Sequence, residues 1–418
     1  MLNITGYSDQ ISVAPGDAIK FMVNCEHRAY QADIVRIVSG DLNPEGPGII
    51  EEAITTPVNG RYKGRKQKIY AGSYAIVPSS APLETLESFT VQVMVWPSTP
   101  LKGVQALVSK WSARKKSGFA LMIDASGGVA FMVGNGKGKV DTVAIGKPMV
   151  ENEWYLAAAS YNAKTREMTV LQEPMVEYPT IDDVGAAKKK AAVAPAMNDA
   201  PLMMASCYNG DTPRGDAAIG AAYFNGKLDS PAIVAGVLDR AEISMILAGN
   251  APTTLKQRTL GRWDFSRDIT ETTITDISSH RLHGKIVHMP TRGVIGYNWT
   301  GEELKWKHAP EQYGAIKFHD DDVYDACWDV DFELTIPDSM KSGIYAAHLL
   351  AGKEREDEEY IPFVVRPKPG KEKKVCFLFP ITSYKAYANE HFATDPWPAE
   401  MMTHRAVELD KHHIFLNE

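Results

Sequence analysis

Two tyrosines stand three residues apart in Pro380-Ile381-Thr382-Ser383-Tyr384-Lys385-Ala386-Tyr387-Ala388-Asn389-Glu390, directly after the apolar run Val375-Cys376-Phe377-Leu378-Phe379. At that spacing the two phenols can share one face of a helical turn. A phenolate is a good ligand for a ferric ion, which can lower a phenol pKa from ~10 far enough to ionise it near neutral pH. Tyr384, Tyr387, Asn389 and Glu390 are therefore candidates for a hard-metal or polar-substrate site. The other reading is two tyrosines packing a helix against a sheet with their hydroxyls wet. Composition and spacing alone favour that second reading.

A continuous apolar run such as Val375–Phe379 reads as a strand buried on both faces, as in a parallel α/β sheet. Ligands of open sheets bind beyond the carboxyl ends of their strands. One βαβ unit takes about 30 residues and a doubly wound sheet needs several, more than follows Pro380. Residues 372–418 are thus expected to be the first strand and helix of an α/β catalytic domain completed elsewhere, on another polypeptide or in sequence outside this one. A lone strand would leave an apolar edge and face uncovered.

Other candidates have plainer readings. His391, His404, His412 and His413 show no convergent spacing, and adjacent His412 and His413 point apart on a helix. Asp320-Asp321-Asp322 after His319 could hold a cation, but a turn of three acids is more often solvated. Asp264 and Asp268 flank Trp263-Asp264-Phe265 and suit turns. Trp96, Trp111 and Trp154 read as core or rim aromatics, though such rings can stack on sugars. Asp124 and Asn135-Gly136 occupy loop positions that in some sandwiches hold calcium.

The framework is β. Ile19, Phe21 and Val23 alternate with Lys20, Met22 and Asn24, and Ala14-Pro15-Gly16-Asp17 forms a turn before them. The first 62 residues hold too few strands for a closed sandwich. Asp331–Ile336, Gly343–Leu350 and Tyr360–Val365 supply more. Residues 1–62 and 300–367 are expected to close one immunoglobulin-like sandwich, interrupted by a second domain over 63–290. Within the insert, Phe89–Trp96 is a strand ended by Pro97, and Gly118–Asp124 and Val129–Val133 flank a Gly127-Gly128 hairpin turn. Trp154–Tyr161, Met168–Leu171 and Tyr223–Asp229 continue the series before a short helix near Ala241–Leu247. Residues 184–200, with Lys188-Lys189-Lys190, read as a low-complexity, solvated loop.

Composition narrows the partners. The chain is 44% hydrophobic and 23% charged with a net charge of −7, which suits a globular protein and argues against a nucleic-acid footprint. No stretch approaches the roughly 20 apolar residues of a membrane helix, and the first residues lack a leader pattern. Cys25, Cys207, Cys327 and Cys376 lie far apart with no C-x-x-C pair, so a reducing, cytoplasmic setting is expected.

Two resemblances add to this. "FTVQVMVWP", "LVSKW", "GFALMID", Trp154-Tyr155 with Ala158-Ala159-Ser160-Tyr161, and "FNGKLDSPAI" stand in the order of the strands of concanavalin A-like (laminin-G-like) jelly rolls, over roughly 78–250. The fold class expected is therefore mainly β: an immunoglobulin-like sandwich interrupted by a concanavalin A-like jelly roll, followed by the start of an α/β domain. Along the whole chain, "GYSDQISVAPGD", "VSGDLNPEGPG", "RWDFSRDI", "APEQYGAIKFHDDD", "CWDVDFELTIPDSMKSGIYA", "EYIPFVVRP" and "SYKAYANE" resemble the large (beta) subunit family of bacterial N,N-dimethylformamidases. That resemblance implies hydrolysis of N,N-dimethylformamide and similar small amides to dimethylamine and formate. It implies a mononuclear Fe(III) held by two tyrosines and one glutamate. The first tyrosine of the set falls in the A-Y-A-N element, hence on Tyr387, with Tyr384 and Asn389 near the substrate. The second tyrosine and the glutamate have no position in this sequence to fall on. Either the sequence is a fragment of that subunit, or a companion polypeptide carries the remaining ligands; with a small subunit, the resemblance implies a hetero-oligomer in the bacterial cytoplasm. The rival expectation is a non-catalytic β-rich module that holds carbohydrate or assembles subunits.

Overall fold

Alternation places Ile19, Phe21 and Val23 on one face of the strand Ala18–Cys25, and all three are fully buried. In the computed structural model, which describes residues 3–41, 45–210 and 219–387, this strand lies between Ile4–Ser8 and Phe332–Thr335, antiparallel to both. The facing sheet runs Ser12–Val13, Asp357–Val365, Gly343–Ala351, Ala29–Gly40, Ile49–Ile54, with Gly60–Lys63 also paired to Ala29–Gly40. Side chains of both sheets meet in one core that includes Phe21, Tyr30, Phe332, Tyr345 and Phe363. Phe21 sits 4.9 Å from Phe332 and 5.7 Å from Phe363, centroid to centroid. Burying each ring contributes roughly 2–3 kcal/mol. The sandwich therefore depends on strands from both ends of the described sequence.

The chain divides into two compact units, residues 1–67 with those from 328 on, and residues 68–327. This differs from the expected boundaries: residues 63–67, assigned above to the insert, stay with the sandwich, and so do the residues from 372 on that were expected as a separate domain. Residues 300–327, assigned above to the sandwich, belong to the inner unit. There Ala315–Phe318 pairs with Gly226–Leu228 and with the strand Thr291–Val294. Ile316 and Phe318 are buried in the inner core. The apolar spacing of Ala315–Phe318 reveals a strand but not which sheet receives it.

Two sheets form the inner unit. One runs Gly185–Lys190, Glu167–Pro174, Tyr155–Tyr161, Phe89–Pro97 and Gly226–Ala235, the last pairing onward with both Thr259–Asp264 and Ala315–Phe318. The other runs Val140–Ala144, Val129–Asn135, Ser117–Ile123, Gln105–Ser112, Leu202–Met204, Tyr74–Val77, Gly284–Val287 and Thr273–Asp276. Phe89, Val91, Val93 and Val95 face the core between them with Phe119, Phe131 and Trp263. Met94 faces outward, yet it too is buried, under the helices Arg240–Leu247 and Thr253–Arg258. That double burial is why Val93–Trp96 is apolar without a break and why the polar Thr90 and Gln92 are buried too. The first helix is fixed by a capping box: the Glu242 N–H donates to Asp239 Oδ1 at 2.8 Å, and the Asp239 N–H donates to Glu242 Oε2 at 3.1 Å. Gly127 turns the expected hairpin at φ +81°.

The Lys188-Lys189-Lys190 segment is not a loop. It belongs to the edge strand Gly185–Lys190, paired antiparallel with Glu167–Gln172. Lysine on an edge strand keeps the open ladder wet and discourages pairing with other chains. Composition alone misreads it because small and charged residues also make loops. The run Val375–Phe379, expected as a doubly buried strand, is not a strand here. Val375, Phe377 and Leu378 are 88%, 73% and 89% exposed. A strand needs a neighbouring edge, and among the described residues none pairs with this run.

Candidate functional site

Tyr384 and Tyr387 fall in the helix Ile381–Tyr387 that follows the exposed apolar run. The Tyr384 N–H donates to the Pro380 carbonyl at 3.0 Å, and its ring lies 6.2 Å from Phe379. Burial first, and the Glu359 charge second, push the Tyr384 phenol above its ordinary pKa. Tyr387 closes the helix. Asn389, Glu390 and the four C-terminal histidines lie outside the described residues. The side chain of Tyr387 lies outside the described part of the structure as well. Among the described residues no three His, Cys, Asp or Glu side chains gather where they could hold a metal ion.

The remaining candidates are spent on structure. Asp320 pairs with Lys102 at 2.5 Å, and Asp322 accepts from Ser73 Oγ at 2.6 Å and the His319 N–H at 3.2 Å. Asp264 accepts from the Ser266 N–H and hydroxyl and pairs with Arg267. Asp268 accepts from Thr275 Oγ1 at 2.5 Å. Asp124 accepts from the Ser126 N–H, and Asn135 from the N–H groups of Lys137 and Lys139, so both serve turns. Trp111 is buried. Trp154 meets Tyr297 edge-on at 6.5 Å, and Trp96 carries Lys227 over its ring at 4.2 Å.

A different residue emerges from the inner unit. Asp229 sits within the apolar strand Gly226–Ala235, where Leu228 and Ile233 enter the core. The ladder slips between Asp229 and Ala232, and Ser230 takes φ +50° at the bulge. Asp229 is almost fully buried, and its Oδ2 has no hydrogen-bond partner. Ser230 Oγ donates to the other oxygen, Oδ1, at 3.0 Å. Burial pushes the carboxyl up to about 7; the Ser230 hydroxyl and the Tyr297 N–H act against it, and the Asp264 charge adds to it. Asp229 lines a polar cleft of about 250 Å³ with Arg262, Asp264, Tyr297, Asn298 and Glu311. A Cβ on Gly296 would stand 2.5 Å from Asp229 Oδ2 and 3.1 Å from Asn298 Oδ1, so backbone closes on the carboxylate there. The signal in the sequence is an acid inside an apolar strand, followed by Ser-Pro.

The architecture defines a two-unit, mainly β chain, a sandwich interrupted by a jelly roll. Residues 291–409 match a family model described as N,N-dimethylformamidase beta subunit-like, C-terminal. The N,N-dimethylformamidase beta subunit of Paracoccus aminophilus is 34% identical over 407 residues, 93% of this chain and 52% of that protein. The beta subunit of Alcaligenes sp is 33% identical over 405 residues, with the same 93% and 52% coverage. The chain is thus similar to N,N-dimethylformamidase beta subunits over most of its own length, and it spans about half the length of the curated relatives it matches. Among solved structures, the Ruminococcus gnavus IT-sialidase CBM40 aligns with a TM-score of 0.32 at 16% identity, over 45% of this chain and 98% of that one. The LG1-3 region of the laminin alpha2 chain aligns with a TM-score of 0.29 at 13% identity, over 41% of this chain and 32% of that one. Among the described residues no helix is long and apolar enough to cross a membrane.

Proposed function

We propose that this chain is the β-rich part of an amide hydrolase that acts on N,N-dimethylformamide and similar small amides, releasing dimethylamine and formate. The observation that carries the reading is the 34% identity over 93% of the chain to a protein of that name. In this reading Tyr387 is one ligand of a mononuclear ferric ion, with Tyr384 and Asn389 beside the substrate. A second tyrosine and a glutamate come from further sequence or from a companion polypeptide, and a small subunit completes a cytoplasmic hetero-oligomer. The exposed run Val375–Leu378 supports the companion on separate grounds. Three large or branched apolar side chains in water cost free energy that pairing with a sheet edge removes.

The test uses the assembly as isolated from its source cells. Native mass spectrometry should show a companion chain, metal analysis should find iron, and the preparation should be coloured by tyrosinate-to-iron charge transfer. Incubation with N,N-dimethylformamide should release dimethylamine. A colourless, iron-free assembly that releases no dimethylamine would overturn the reading, and glycan binding by it would favour the carbohydrate or assembly module instead.

A further inference from the structure

We infer that the cavity between the helices Arg240–Leu247 and Thr253–Arg258 and the turn 277–279 binds a small aliphatic carboxylate, with Arg262 as its counter-ion and the apolar walls around its alkyl chain. The inference does not rest on the amide-hydrolase reading; its residues all lie in the inner unit.

Arg262 reaches this cavity because of its place in its strand. Along Thr259–Asp264, the residues Thr259, Gly261 and Trp263 turn to the buried side, so Arg262 faces out. Its guanidinium passes under the end of the first helix. Gly249 follows that helix at φ +74°, and a Cβ there would stand 3.1 Å from Arg262 Nη2 and 3.4 Å from Nη1. Bare backbone thus lets the guanidinium lie against the helix end, where it lines both this cavity and the Asp229 cleft.

The guanidinium is short of acceptors there. Nη2 donates to the Leu247 carbonyl at 3.5 Å, a long and weak contact. The acids around it are engaged elsewhere: Glu242 with Arg258, and Asp264 with Arg267. Asp276 accepts from the Arg262 N–H, the Ser278 N–H and hydroxyl, and the Leu282 N–H, so its oxygens are spent before they reach the guanidinium. An arginine presents a planar fork of donors that matches the two oxygens of a carboxylate.

Charge and size narrow the class. The lining holds two cations, Arg262 and Lys256, and no carboxylate, which selects an anion. Ile246, Ala251 and Ile277 supply an apolar wall. An alkyl chain takes that wall out of water, and a bare inorganic anion leaves it wet. The cavity of about 280 Å³ falls just below the usual range for drug-sized ligands, ≈ 300–1,000 Å³, so the chain is short.

The experiment titrates the full protein chain with sodium butyrate, butyramide, sodium formate and sodium phosphate at matched ionic strength, by calorimetry and by melting temperature. Butyrate should bind and raise the melting temperature. Butyramide, with a chain of the same length and no charge, and formate, with the charge and no chain, should each bind at least about tenfold more weakly, the factor that 1.4 kcal/mol represents. Arg262→Gln should weaken butyrate binding by a similar factor. Should that variant not fold, Lys256→Gln, at an exposed side chain, should weaken it several-fold. No butyrate binding, equal binding of butyramide, or unchanged affinity in the folded variants would overturn the proposal. Phosphate or formate bound as tightly as butyrate would overturn it in favour of an unselective anion site.

Discussion

Phe332 stacks on Phe21 with 4.9 Å between ring centroids and 22° between ring planes, and the two residues are also partners across an antiparallel ladder. One aromatic contact thus joins the first and last thirds of the chain around the inserted jelly roll. Phe332→Ala should cost about 3 kcal/mol or more, the usual loss for a buried aromatic truncated to Ala. Chemical denaturation should show the loss in the transition of the sandwich. Equal destabilisation of both units, followed by tryptophan fluorescence and limited proteolysis, would contradict the division at residues 67 and 328.

Asp229 makes a pH-dependent contribution. Its carboxyl sits at about 7 in the folded protein against 3.8 ordinarily. The folded state therefore holds the proton over a window in which the unfolded chain has lost it. Stability must fall as pH rises from about 4 through 7, by an upper limit of roughly 4 kcal/mol. The Ser230 hydroxyl and N–H, the Tyr297 N–H and the Asp264 charge set the remaining field. Unfolding free energies measured from pH 4.5 to 8 should decline less steeply in Asp229→Asn than in wild type; parallel curves would contradict the burial argument.

Lys110 gives the opposite slope at higher pH. It is fully buried in the strand Gln105–Ser112, where its ammonium donates to Ser79 Oγ at 2.8 Å and to the Ala200 carbonyl at 2.7 Å. Burial lowers its pKa to about 8, against the pull of Glu84 and Asp199. Between about pH 8 and 10 the unfolded chain binds more protons than the folded one, so this residue makes stability rise with pH. Lys110→Met keeps most of the volume and should remove that rise, as read by denaturant unfolding at pH 7.5, 8.5 and 9.5.

The two tyrosines of the terminal helix should behave differently. Tyr387→Phe should leave the isolated assembly without iron and without its charge-transfer colour, with no change in the melting of the jelly roll. Tyr384→Phe should retain iron, because in this reading Tyr384 lies beside the substrate and does not ligate the metal. Metal analysis of both variants decides the matter; iron lost from Tyr384→Phe and kept by Tyr387→Phe would reverse the assignment.

The apolar run ahead of that helix is accessible to a simple perturbation. Leu378→Asp changes a side chain that is 89% exposed and should not shift the stability of the chain alone by more than about 0.5 kcal/mol. It should nevertheless abolish co-purification of the companion chain. Retention of the companion would show that the run is not where it docks.

Local pattern determined much of this protein. Alternation at Ile19, Phe21 and Val23, the glycines of the 127–128 turn and the apolar run from Phe89 specify strands wherever they occur, because side chains alternate across a strand and Pro and Gly end one. The runs from "GYSDQISVAPGD" to "SYKAYANE" carried the resemblance to the dimethylformamidase beta subunits, to which the chain is similar over 93% of its length. Tertiary structure decided what local pattern leaves open. Ala315–Phe318 joins the jelly roll and not the sandwich, because Leu228 offers Ile316 an open ladder position. Lys188–Lys190 is an edge strand because Glu167–Thr169 lies beside it. Val375–Phe379 stays unpaired because no described strand offers it an edge. Asp229 is the sharpest case: its sequence neighbours show an acid in an apolar strand. Only folding brings Gly296, Asn298 and Asp264 around it, and it is their distance in space, not in sequence, that buries one oxygen without a partner.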